Sequence, residues 1–81
     1  MPNILIIDDE ESIRSTLKDI LEYEEYKIDL AKDGEEGLDM IRKKDYDVVL
    51  CDVKMPKVDG LEVLEKGLEL NPELQLSLIH I

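Results

Sequence analysis

The chain begins with a run of apolar positions, Ile4-Leu5-Ile6-Ile7, too continuous for an alternating strand and too short for a helix. Such a run predicts a strand buried on both faces. Val48-Val49-Leu50-Cys51 repeats the pattern, and Asp47 to Asp52 is the strand it predicts. Both runs stop at acid, the first at Asp8-Asp9 and the second at Asp52. Tyr26, Ile28 and Leu30 alternate with Lys27, Asp29 and Ala31, the period of a half-buried strand at a sheet edge. Leu74 to Ile81 can supply a fourth strand.

Between the strands the period changes from two to about 3.6. Ile13, Leu17, Ile20 and Leu21 mark the inner face of a helix ending near Tyr23 or Glu24, with Glu10, Glu11 and Ser12 supplying acidic and capping residues at its start. A turn at Lys32-Asp33-Gly34 leads to a second helix, Glu35 to Lys44, with Leu38 and Ile41 inward and Arg42, Lys43 and Lys44 at its C-terminal end. Gly37 within it costs about 1 kcal/mol relative to Ala. A third helix, from about Gly60 to Leu70, places Leu61, Leu64 and Leu68 inward and stops at Asn71-Pro72. Strands alternating with helices at this spacing predict an α/β domain with a parallel sheet and right-handed crossovers.

Eighty-one residues make one domain with a small aliphatic core, since the chain has neither Trp nor Phe. The formal net charge of −11 argues against duplex DNA and anionic lipid as direct partners, and suits a cationic ligand. A single cysteine, Cys51, excludes an internal disulfide and reads as a core residue of a reducing compartment. Seven residues before the first acidic pair are too few for a signal peptide, and no apolar run reaches membrane-spanning length. The expected location is the cytoplasm.

Parallel strands ending in Asp8, Asp9 and Asp52 would gather three carboxylates at the edge where open α/β sheets bind ligands. Crowding would raise at least one pKa, and a divalent cation would let all three ionise. Oxygen-only ligands suit Mg²⁺. Either acidic strand end alone reads first as a helix cap or a strand terminus, whereas both together on neighbouring buried strands point to a site. Tyr23, Tyr26 and Tyr46 read as rim residues of the core, Met55 as a packing residue, and the Lys54 side chain as solvated. Pro56 and Gly60 read as loop-shaping, with Asp59 bonding locally.

Ile-Ile-Asp-Asp-Glu at 6–10, the strand ending in Asp52, Lys54-Met55-Pro56 and Asp59-Gly60, in this order and at these separations, resemble the receiver domain of bacterial two-component response regulators. The resemblance extends from about Asn3 to Leu74. It implies a flavodoxin-like (CheY-like) three-layer sandwich with strand order 2-1-3-4-5. By the same resemblance Asp52 is the phosphoacceptor, receiving a phosphoryl group from a histidine of a sensor kinase or phosphotransfer protein. Asp9 and Asp52 would ligate Mg²⁺ directly, Asp8 mainly through water, and Lys54 through its backbone carbonyl. Such a domain is not an enzyme beyond promoting its own phosphorylation and dephosphorylation. The link to transcription regulation comes from the effectors that usually follow such domains.

The pattern departs from the family late in the chain. Three strand-helix units and a possible fourth strand are present where the family has five, so residues 1–81 read as one C-terminally truncated receiver. The family's Ser or Thr at the end of strand four aligns with His80, Ser77 being three residues too early, and its strand-five Lys has no counterpart. Strand four would then be an exposed apolar edge open to self-association. The alternative function is a fragment inactive in phosphotransfer that acts through protein contacts. An aspartyl phosphatase would carry a second Asp two residues beyond the nucleophile, where this chain has Lys54.

Overall fold

The computed structural model describes residues 2–52 and 60–79 of the chain. Strand β1 (Asn3–Ile7) is followed by α1 (Glu11–Tyr23), β2 (Lys27–Ala31), α2 (Gly34–Lys43), β3 (Val48–Asp52), α3 (Gly60–Leu70) and β4 (Gln75–Ile79). All strand pairs are parallel, in the order β2-β1-β3-β4. The expected fourth strand is therefore formed. It has β3 as its only bonded neighbour among the described residues.

The register explains how the faces divide. Leu5 lies beside Val49 and Asp29, and Ile7 beside Cys51 and Ala31. Side chains paired in register share a face. Leu5, Ile7, Ala31, Val49 and Cys51 join Leu38 and Ile41 of α2, Val63 of α3, Tyr46 and Leu74 in one buried core, so α2 and α3 cover this face together. The opposite face carries Ile4 and Ile6, both buried, and α1 packs there on β1 and β2. The sheet thus has helices on both sides, which is why β1 and β3 read as continuous apolar runs rather than alternating ones.

Several expected faces shift. In α3 the inner stripe is Gly60, Val63 and Gly67, whereas Leu61 is 65% exposed. A Cβ on Gly67 would lie 3.2 Å from Leu76 Cδ1, so α3 meets β4 along its small residues. Leu64 and Leu68 flank that seam, and Leu61, about 100° around the helix from Gly60, falls outside it. In α1, Ile13, Leu17 and Leu21 are half-buried while Ile20 is 55% exposed. Ile20 lies at one edge of the stripe, and α1 is the only helix on this face among the described residues. Tyr23 is 86% exposed and not a rim residue of the core; Tyr26 is at the margin, and Tyr46 is buried.

Helix ends differ in how they are closed. Asp33 caps α2 by accepting from the Glu36 N–H at 2.8 Å, and Glu36 accepts in turn from the Lys32 N–H at 3.1 Å. The expected capping by Glu10, Glu11 or Ser12 does not occur: Glu10 holds the cap position of α1 with no side-chain bond. Its N–H is taken by Asp8 instead, which brings the strand end into the site.

Candidate functional site

The chain leaves β1 to one side to make β2, then returns across β1 to make β3 on the other side. Helix α1 follows β1 on one face of the sheet and α3 follows β3 on the other, so the C-terminal ends of β1 and β3 are the switch point at which open α/β sheets bind ligands. Asp8 and Asp9 follow the last residue of β1, and Asp52 is the last residue of β3. One carboxylate oxygen from each lies within 4.8 Å of the other two. The two acidic strand ends are thus one cluster, as the sequence pattern anticipates.

The three carboxylates are held differently. Asp8 is buried, Asp52 half-buried and Asp9 exposed. The Asp8 N–H donates to the Ala31 carbonyl at 3.1 Å, extending the β1–β2 ladder one residue past the strand. Asp8 Oδ1 accepts from the Glu10 N–H at 2.9 Å. The Asp8 carbonyl accepts from the Arg14 guanidinium at 2.6 Å, a contact that ties the first turn of α1 to the end of β1. Sequence reasoning missed Arg14; its signal is that it is the first basic residue after the acidic pair, in the first turn and a half of the helix.

Burial is the main reason that the Asp8 carboxyl titrates above its ordinary range. The Glu10 N–H opposes that shift, and the charges of Asp52, Asp9 and Glu10 add to it. The expected raised pKa is therefore present, but repulsion is its secondary cause. A cation among the three oxygens would offset both contributions.

The donor set is all carboxylate oxygen, with no imidazole or thiolate in the cluster, which fits a hard cation of the magnesium type. Asp8, Asp9 and Asp52 would hold such an ion through their carboxylate oxygens, which lie within 4.8 Å of one another. Lys54, the remaining expected ligand, lies outside the described residues, as do Met55, Pro56 and Asp59. His80 does too. Ser77 pairs with Leu50, whereas Asp52 pairs with Ile79, so Ser77 is not at the carboxylate edge.

A family model for the response regulator receiver domain matches residues 4–79, nearly the whole chain. The chain belongs to this family. Response regulator MprA of Mycolicibacterium vanbaalenii is 45% identical over 60 residues, covering 74% of this chain and 26% of that protein. The chain thus spans about a quarter of the length of the curated relatives it matches. Response regulator TrrA of Thermotoga maritima, solved in complex with Mg(2+)-BeF, is 39% identical with a TM-score of 0.91 over 94% of this chain and 66% of that one. A chain in the crystal structure of histidine kinase ThkA in complex with TrrA matches at 39% identity and a TM-score of 0.93, over 99% of this chain and 69% of that one. This receiver has the flavodoxin-like, CheY-like fold, and its described residues form a four-stranded parallel sheet between helices.

Proposed function

We propose that this receiver accepts a phosphoryl group on Asp52 from a histidine of a sensor kinase or phosphotransfer protein, in a reaction that requires Mg²⁺. The observation that carries the reading is the cluster itself: Asp8, Asp9 and Asp52 converge from two adjacent parallel strands in a chain whose family is established. The complexes of TrrA with Mg(2+)-BeF and with ThkA support both the cation and the class of partner.

In the transfer, a carboxylate oxygen of Asp52 forms a bond to phosphorus as the phosphorus–nitrogen bond of the donor histidine breaks. The bonding pair leaves with the imidazole nitrogen, and Asp52 becomes an acyl phosphate. Asp52 is suited to this because it stands at a strand end and is half-buried, whereas Asp8 is buried. Asp8, Asp9 and Asp52 would hold Mg²⁺, which when bound offsets the negative charge accumulating on the phosphoryl oxygens. The backbone carbonyl of Lys54 joins this ligand set by family resemblance.

The domain is a switch rather than an enzyme, acting at most on its own phosphorylation state. We place it in the cytoplasm, where its kinase partners present phosphohistidine; no helix among the described residues is long and apolar enough to cross a membrane. A charge of −11 makes nucleic acid an unsuitable direct ligand for this chain.

Incubation with a phosphorylated histidine kinase should label the chain at Asp52, with the label lost to background on chelation of Mg²⁺ and in Asp52→Asn. Labelling that survives Asp52→Asn would overturn the assignment.

A further inference from the structure

The acidic cluster has a mechanical difficulty that its metal ligands do not solve. Three carboxylates within 4.8 Å repel one another, and Asp9 is the exposed member. Asp9 follows Asp8 through one planar peptide unit, so the direction of the Asp8 carbonyl sets the plane from which Asp9 departs. That carbonyl is held by the Arg14 guanidinium at 2.6 Å, a short charge-assisted bond. The Arg14 backbone N–H donates to the Glu10 carbonyl at 3.1 Å, which sets Arg14 in the first turn of α1. The Glu10 N–H in turn donates to Asp8 Oδ1. Strand end, loop and helix start form a closed circuit through Asp8, Glu10 and Arg14.

We propose that Arg14 is a positioning residue for the cation site, holding the Asp8 carbonyl so that the Asp9 carboxylate stays directed toward Asp8 and Asp52 before any cation binds. The inference rests on the magnesium reading of the cluster and adds to it a residue outside the ligand set. A site assembled in advance binds its ion without first ordering the loop, so losing the tether lowers affinity without removing a ligand. Lysine can retain one donor and the charge, while methionine keeps the apolar stem alone.

Arg14→Met and Arg14→Lys, made in this chain, separate the possibilities. Mg²⁺ titration followed by amide chemical shifts is expected to show about tenfold weaker binding for Arg14→Met and nearly full recovery in Arg14→Lys. In chelator, with no cation present, Arg14→Met should speed amide exchange at Glu10 about tenfold while Ile6 and Val49 exchange as before. Unchanged Mg²⁺ affinity in Arg14→Met would overturn the proposal, as would a uniform acceleration at Ile6, Val49 and Glu10, which would mark Arg14 as a general stability residue. Should the unsubstituted chain bind no Mg²⁺, the magnesium reading falls, and the exchange measurement in chelator still decides whether Arg14 is the tether.

Discussion

Gly37 shows how a residue that looks unfavourable locally can be required by packing. In sequence it is a weak point of α2, but a Cβ at this position would come against Ile7, with Cγ1 at 2.7 Å. Ile7 is fully buried between β2 and β3 and has nowhere to retreat. Gly37→Ala should therefore give no gain in urea unfolding and a loss of up to about 2 kcal/mol, since overpacking of roughly 1–3 kcal/mol offsets or outweighs a helix-propensity gain of about 1 kcal/mol. Adding Ile7→Val, which removes the Cδ1 methyl, should recover part of that loss. The strand ends were legible from residue type alone, because an acid after a buried apolar run has little choice but to lie at the sheet edge. Gly37 and Arg14 were not, because each acts through an atom on another element.

Asp29 and Tyr46 join β2 to the loop before β3 through a polar contact in the core wall. Asp29 Oδ2 accepts from the Tyr46 hydroxyl at 2.7 Å and from Lys44 Nζ at 3.0 Å. The Tyr46 bond is the main reason that the Asp29 carboxyl titrates below its ordinary value of 3.8, with Lys44 also lowering it and burial opposing. Its contribution to stability is fully present above the unfolded value and is lost as pH falls through the lower folded value. Tyr46→Phe should bring the Asp29 carboxyl back toward 3.8 and so remove most of that contribution: the urea midpoint is lower than in the unsubstituted chain near neutral pH, and the gap between the two narrows as pH falls below 3.8.

Elements are decided at their ends as well as on their faces. Helix α1 closes with the Glu25 N–H on the Glu22 carbonyl at 2.9 Å and the Tyr26 N–H on the Leu21 carbonyl at 3.2 Å. This paired closure normally places glycine at the left-handed position, but here Glu25 occupies it with φ 69°. Glu25 also adds negative charge at a helix end that has no basic residue in its last turn. Glu25→Gly should raise stability by about 0.5–1 kcal/mol, and Glu25→Ala, which removes only the charge, by less, as read from thermal unfolding. The alternation of β2 was legible as an edge strand. The faces of α1 and α3 were less so, because 3.6-residue periodicity locates a stripe of leucines but not the width of the surface that receives it.

For the molecule as a whole, a cation that binds the assembled cluster but not the unfolded chain must stabilise the fold. The urea midpoint of the chain is expected to rise with Mg²⁺, the unfolding free energy increasing by about 2.7 kcal/mol when the ion is at a hundred times its dissociation constant. Asp52→Asn should reduce that response. A midpoint indifferent to Mg²⁺ would show that the carboxylates do not act together as a cation site.

The sequence by itself determined the alternation of strands and helices, the placing of acids at the ends of the two most apolar strands, and the motif spacing that marks a receiver. These are one-dimensional properties: apolar runs bury, acids stop them, and turn residues separate them. Only the tertiary structure decided that α3 faces the sheet with Val63 and glycines rather than Leu61, that Ile20 stays in solvent, and that Arg14 reaches the carbonyl of Asp8. Each of these depends on how closely one element approaches another. That distance is set by the crossovers and the register of the whole sheet, which no single segment contains.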